Sequence, residues 1–297
     1  MPLRVGGIEA GGTKFVCAVG SGADDVQAET TIPTTDPPTT LSRVVDFFRA
    51  EGPIAALGVG AFGPLDLDRK SPTFGFITNT PKPGWAETSI AGMLAPLGVP
   101  VAIDTDVNAA ALGEHRWGAA RGVGSFVYLT VGTGIGGGAF VNGALVHGLV
   151  HPEMGHIPIP RAARDTFPGS CPFHRDCFEG LASGPAMAAR WNAQAETLPA
   201  EHPAWDLEAE YLALGLAAIV GVLSPERIIV GGGVARTEHL LPRVRTKLRA
   251  VLAGYVRSAV IDDDTVPYVV ASALGQRAGV LGALALALTA SRATGGG

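Results

Sequence analysis

Three glycine clusters, each placed directly after a β-like run, constrain this chain more than any other feature. They are Gly11-Gly12, Gly132 to Gly138, and Gly231 to Gly233. Glycine at a strand end tolerates positive φ and bares backbone N–H groups, and such groups can cradle phosphate oxygens. A single cluster of this kind reads as a plain turn. Three of them, drawn from both halves of 297 residues, point to a nucleotide phosphate. The G-x-x-x-x-G-K-[ST] phosphate loop is absent. Gly134-Ile135-Gly136-Gly137-Gly138-Ala139 has some likeness to a dinucleotide-binding turn, but it runs into another strand where that motif needs a helix.

The surrounding pattern predicts alternating strands and helices. Arg4 to Glu9 and Thr13 to Gly20 read as a hairpin closed by a glycine turn. Thr39 to Arg49 has helical spacing, Ala55 to Gly60 and Val101 to Asp104 read as buried strands, and Val107 to Trp117 reads as an Ala-rich helix. The pattern then starts again. Ser125 to Val131 is a strand, Ala139 to Val141 another, with Asn142-Gly143 as a turn signal. Leu207 to Leu223 is a long apolar helix broken by Ser224-Pro225-Glu226, Arg227 to Val230 is a strand, and helices are expected to fill the remainder. Two related α/β lobes follow, residues 1–117 and 118–297, with the boundary near Gly118 to Gly124. The last helix is expected to pack back on the first lobe. A ligand between the lobes would meet glycine turns from both sides. The two halves do not align residue by residue.

Composition excludes several classes. Hydrophobic residues make up 47% and charged residues 16%, enough for a large core. The net charge of −5 and the absence of any Lys/Arg run speak against nucleic acid as a partner. Met1 to Ile8 leads straight into a strand, so no secretory leader is expected. Ala271 to Ala290 is the most apolar segment, but it is Ala-rich and holds Gln276 and Arg277. It predicts a buried helix and no membrane span. Three cysteines cannot all pair, which favours a reduced, cytoplasmic setting. Cys17, on an apolar strand, reads as plain core.

Four motifs occur in a fixed order: Glu9-Ala10-Gly11-Gly12-Thr13-Lys14, Asp106-Val107-Asn108, Gly132-Thr133-Gly134-Ile135-Gly136-Gly137-Gly138, and Glu153-Met154-Gly155-His156. From about residue 5 to about residue 282 the chain resembles the ROK family of repressors, open reading frames and kinases. The resemblance implies a two-lobed, actin-like ATPase (ribonuclease H-like) α/β fold, with ATP and a sugar bound in the cleft between lobes. It also implies that Gly11, Gly12, Thr13 and Lys14 line the ATP phosphates, with Gly132, Thr133 and Gly134 facing them. Gly231, Gly232 and Gly233 would approach the adenosine. The family often has Asp where this chain has Glu9. The carboxylate persists with one more methylene, consistent with a place near Mg2+.

Asp106 lies where a strand gives way to a helix. Its side chain there has two readings. As an N-cap it would accept backbone N–H bonds. As a catalytic group it would face the crevice at the strand's carboxyl end. The resemblance implies the second role, general base for a sugar hydroxyl attacking the γ-phosphorus. Asp104 reads as a supporting residue. By the same resemblance the sugar contacts are Asn79, Thr80, Asp106, Asn108, Glu153, His156 and Glu179. Asn79 taken alone reads equally well as an Asx turn.

His156, Cys171, His174 and Cys177 form the sharpest local constellation. Cys171-Pro172-Phe173-His174-Arg175-Asp176-Cys177 repeats potential ligands every three residues, and two thiolates with two imidazoles suit a closed, structural Zn2+ site. The bland alternative is a pair of buried cysteines beside two surface histidines. Having His174 within the cluster, ahead of Glu179-Gly180-Leu181-Ala182-Ser183-Gly184-Pro185, is similar to the fructokinase branch of the family. The activity this implies is ATP-dependent phosphorylation of fructose to fructose 6-phosphate. Mannose, glucose or broad hexose specificity is the alternative within the class, and a non-catalytic sugar-binding or sensor protein the alternative outside it. A sugar-responsive repressor would need a DNA-binding segment ahead of the first glycine turn, and only eight residues precede Glu9. The resemblance allows a homodimer, and composition fixes no oligomeric state.

Overall fold

The computed structural model describes residues 3–263, 265 and 267–294. By internal contacts the chain divides into two compact units. One takes Met1–Arg121, Leu145–Pro152 and Gln276–Gly297, and the other takes Gly122–Ala144 and Glu153–Gly275. The segments 118–121, 145–152 and 276–297 therefore go with the first unit, where a single cut at 117/118 would have put them in the second.

The first unit is built on β1 (Val5–Ala10), β2 (Lys14–Gly22), β3 (Asp25–Pro33), α1 (Pro37–Glu51), β4 (Leu57–Ala61), the short β5 (Phe76–Ile77) and β6 (Thr88–Ser89), α2 (Ile90–Leu94), β7 (Val101–Thr105) and α3 (Asp106–Trp117). Its main sheet runs β3-β2-β1-β4-β7. β1, β2 and β3 pair antiparallel, and β1, β4 and β7 pair parallel. The hairpin predicted from sequence is thus a three-stranded meander. β3 carries a polar, half-exposed alternation that supplies no apolar run to detect.

Helix α1 begins two residues before its periodic stripe because Asp36 caps it. The Asp36 side chain accepts the Thr39 amide at 2.9 Å and Pro37 supplies a preset φ. The Trp85 ring lies 5.4 Å, centroid to centroid, from both Phe15 and Phe62, and its indole donates to the Thr35 carbonyl at 2.8 Å. Truncating a buried aromatic of this kind costs about 3–5 kcal/mol.

The second unit repeats the plan. It contains β8 (Phe126–Val131), β9 (Ile135–Val141), β10 (Ala144–Leu145), α4 (Phe178–Ala182), α5 (Gly184–Trp191), α6 (Ala204–Leu223), β11 (Arg227–Gly231), α7 (Leu240–Leu252), α8 (Ala259–Asp262) and β12 (Val269–Ala271), and α9 (Ala278–Thr294) follows in the chain. The sheet order is β10-β9-β8-β11-β12. β8 pairs antiparallel with β9 and parallel with β11, which pairs parallel with β12. Asn142 and Gly143 both take positive φ, as a tight hairpin turn with primed geometry requires.

The structure departs from the sequence pattern at two places near the C-terminus. Helices do not fill the remainder after β11, because Val269–Ala271 completes the sheet as β12. The apolar helix expected over 271–290 begins only at Ala278, after a turn in which the Ser272 hydroxyl accepts the Gly275 amide. That helix, α9, packs on β1, β4 and α3 of the first unit. The approach is backbone to backbone. A Cβ on Gly58 would lie 1.9 Å from the Ala283 carbonyl oxygen, and one on Gly282 would lie 1.8 Å from that of Ala109. No described helix is long and apolar enough to cross a membrane.

Candidate functional site

In the first unit three carboxylates gather at the carboxyl ends of the parallel strands. Asp106 is the first residue of α3 and not its cap. Thr105 is the N-cap, with its hydroxyl accepting the Asn108 amide at 3.1 Å. Asp106 Oδ1 accepts the neighbouring Val107 amide at 2.8 Å. Burial pushes the Asp106 carboxyl up to about 6. A group there ionises near neutrality yet keeps affinity for a proton, which suits a general base.

Glu9, near the end of β1, is pushed up to about 7 by burial and then by the Asp106 charge. Its Oε2 is buried with no hydrogen-bond partner. The side chain lies over Gly279, where an added Cβ would come within 2.4 Å of the carboxyl carbon. A buried, unpartnered carboxylate oxygen beside a second carboxylate is suited to a hard, oxygen-seeking cation such as Mg2+ or to its bound water.

Asp104, expected as a supporting residue, anchors a network. Its Oδ1 accepts Asn108 Nδ2 at 2.7 Å and the Thr105 amide at 2.8 Å, and its Oδ2 lies 2.9 Å from His147 Nε2. The Asp104 contact raises the His147 pKa. Asn108 Oδ1 is buried without a partner. His151 Nε2 accepts the Leu65 amide at 3.2 Å. Sequence reasoning overlooked His147 and His151. They sit four residues apart in an irregular segment, where no periodicity marks a face, and only their shared His-x-x-x-His spacing offered a signal. Asn79 is exposed, and Thr80 accepts the Lys82 amide at 3.3 Å. A cavity of about 540 Å³ in the same unit is bounded by Thr78, Asp66, Arg69 and His147. The turn that carries Gly11, Gly12, Thr13 and Lys14 is closed by the Gly11 amide donating to the Lys14 carbonyl at 3.0 Å.

In the second unit the glycine clusters adjoin each other, since a Cβ on Gly132 would lie 3.9 Å from the Gly233 nitrogen. Thr133 sits between Gly132 and Gly134 at the tip of this turn. Gly232 has φ 88° and leaves no room for a side chain, with an added Cβ only 2.3 Å from the Val131 oxygen. Gly231 makes room for the Tyr128 hydroxyl. Glu179 accepts the Ile135 amide at 2.9 Å. Glu153 is exposed and precedes the single helical turn Met154–His156.

His156, Cys171, His174 and Cys177 converge, and one donor atom from each lies within 4.8 Å of all the others. His156 Nδ1 is 3.7 Å from Cys171 Sγ and 3.6 Å from Cys177 Sγ, and His174 Nδ1 is 3.8 Å from Cys171 Sγ. Zinc bond lengths of about 2.3 Å to sulfur and about 2.0–2.1 Å to nitrogen put such atoms roughly 3.6 Å apart across a tetrahedron. The residues therefore fit the ion. Burial pushes the Cys177 thiol up to about 11, and a dication is what would hold both sulfurs as thiolates.

The ROK family model matches residues 5–290. The chain belongs to the ROK family. Relatives named fructokinase match nearly the whole chain. That of Zymomonas mobilis is 46% identical over 294 residues, 96% of each chain. That of Streptococcus mutans is 41% identical over 293 residues, 97% of this chain and 98% of the other. Among solved ROK structures, a Streptomyces griseus glucokinase in complex with glucose and AMPPNP matches with TM-score 0.77 and 26% identity, covering 96% of this chain and 99% of that one. The mixed α/β sheets described above are those of the actin-like ATPase fold that these kinases share.

Proposed function

We propose that the protein is a fructokinase, transferring the γ-phosphoryl group of ATP to the 6-hydroxyl of fructose. The observation that carries the reaction class is Asp106, a carboxylate at a strand's carboxyl end, held by backbone amides, whose pKa is lifted by burial to about 6. Two relatives above 40% identity that carry the fructokinase name support the choice of sugar.

In this reading the sugar oxygen attacks the γ-phosphorus, the bond to the bridging oxygen breaks, and ADP leaves. The hydroxyl proton passes to Asp106. Phosphoryl transfer of this kind needs little covalent help from the protein, so positioning and charge stabilisation dominate. Backbone N–H groups of Gly12 and Thr13, and those of Thr133 and Gly134, would offer hydrogen bonds to phosphate oxygens, while Gly233, with nothing within 4 Å of an added Cβ, leaves room for the nucleoside. Glu9 would hold Mg2+ or its water, and the ion would supply charge neutralisation at the β- and γ-phosphates. Asn79, Thr80, Asn108, Glu153 and His156 present polar atoms to sugar hydroxyls. Asn108 Oδ1 is the best supported of these, because it is buried and lacks a partner. Zn2+ on His156, Cys171, His174 and Cys177 would be structural. It would fix the His156 ring through Nδ1 and leave Nε2 for the sugar. ATP as substrate and metal-bound thiolates suit the cytoplasm.

The test is ADP release with ATP and Mg2+ against fructose, mannose, glucose and N-acetylated hexosamines. Preference for fructose, abolished in Asp106→Asn, is the expected result. Equal turnover of glucose or mannose would replace the specificity, and absence of turnover with every sugar would overturn the kinase reading.

A further inference from the structure

We propose that Glu179 is a positioning residue that clamps the Gly132–Ile135 turn and ties its shape to the zinc-bearing segment. This rests on the reading that the turn faces nucleotide phosphates.

The turn is gripped from residues that flank the metal-binding set. Cys177 is the N-cap of α4, and Glu179 is the second residue of that helix. Glu179 Oε2 accepts the Ile135 amide at 2.9 Å and fills the space a Cβ on Gly134 would need, 2.6 Å away. At the other end of the turn, the Gly184 amide donates to the Gly132 carbonyl at 2.8 Å. Gly155, directly before His156, packs so closely that an added Cβ would lie 1.9 Å from the Ile135 oxygen. Two ligand-bearing strips, one ending at His156 and one starting at Cys177, therefore bear on a single four-residue turn. Ile135 is buried. Without the Glu179 acceptor its N–H would lose a hydrogen bond away from water, and the turn would relax to recover one. Glu179 then acts on the nucleotide through the turn, in addition to any contact its other oxygen makes with sugar.

The experiment compares the full-length native protein with Glu179→Ala and Glu179→Gln. It reads hydrogen exchange of the peptide spanning 129–141, ADP binding by calorimetry, and KM for ATP against KM for fructose. The Ala variant should exchange faster over that peptide. It should bind ADP on the order of tenfold more weakly and raise KM for ATP by a similar factor. The Gln variant should stay close to native in exchange and ADP affinity, because its amide oxygen also accepts the Ile135 N–H. Chelation that removes zinc should loosen the same peptide. Unchanged exchange in the Ala variant, a Gln variant as loose as Ala, or full protection after verified zinc loss would each overturn the proposal. Faster exchange with unaltered ADP affinity would uphold the clamp and overturn the phosphate reading of the turn instead.

Discussion

The two units share one sheet plan and differ in what they hang on it. Each has a central strand with an antiparallel hairpin partner on one side and two parallel neighbours on the other, β1 in the first and β8 in the second. In the first unit the strand ends present Glu9, Asp104 and Asp106. In the second they present glycine backbone, and the cysteine and histidine cluster is held in loops outside the sheet. The same topology thus presents buried carboxylates in one place and glycine turns beside a cysteine and histidine cluster in the other. The difference teaches that topology fixes where functional groups appear, at strand carboxyl ends, while the residue types decide what they do.

The contrast breaks first at Asp106. Asp106→Asn should cut turnover by about 10²–10⁴-fold with sugar binding largely kept, measured as ADP release against fructose affinity. Native activity should also fall as pH drops through about 6, because the base is then protonated. A similar loss from a conservative change in the second unit's glycine turns, with Asp106→Asn active, would reverse the assignment.

Next comes the metal clasp. The native chain should carry one zinc, and Cys177→Ser should lose it. Removing one ligand should destabilise by about 3 kcal/mol, a fall in Tm of roughly 5–10 °C in thermal melts. Metal-free protein with an unchanged Tm would leave the four residues as plain packing.

Glycine then separates the units on stability alone. Gly232→Ala meets both a positive φ and the Val131 carbonyl, and should cost about 2–3 kcal/mol in denaturant unfolding. Gly12 has nothing within 4 Å of an added Cβ. Gly12→Ala should leave unfolding within about 0.5 kcal/mol of native. It should nonetheless raise KM for ATP if the turn is glycine to let phosphate approach.

An effect visible only on the alkaline side tests Glu9. Its pKa is raised in the folded state, so ionising it costs stability. That cost is absent below the ordinary carboxylate range and grows as pH rises through about 7. Glu9→Gln should therefore gain up to about 3 kcal/mol at pH 8 relative to native and nothing at pH 4, read from unfolding at both pH values.

Much of this was legible in the sequence for physical reasons. Glycine clusters after β runs announce strand ends, and the Cys171–Cys177 spacing brings ligands together within one turn. What escaped has physical reasons too. β3 is half-exposed and polar, and β12 is three residues long, so neither makes a period-2 apolar run. Asp106 as first helical residue and Thr105 as cap differ by one position, which composition does not resolve. The Asp104–His147 contact joins residues 43 apart through an irregular segment.

The packing of α9 onto β1, β4 and α3 has a consequence for synthesis. The β1 strand emerges early from the ribosome, yet the helix that covers it is made after every other described element. Until Ala278–Thr294 has been translated, the glycine-lined face of β1 and β4 stays bare. A nascent chain must hold that apolar surface uncovered while the whole second unit is being made, and a ribosome stalled before residue 278 would leave a ready substrate for chaperones and proteases.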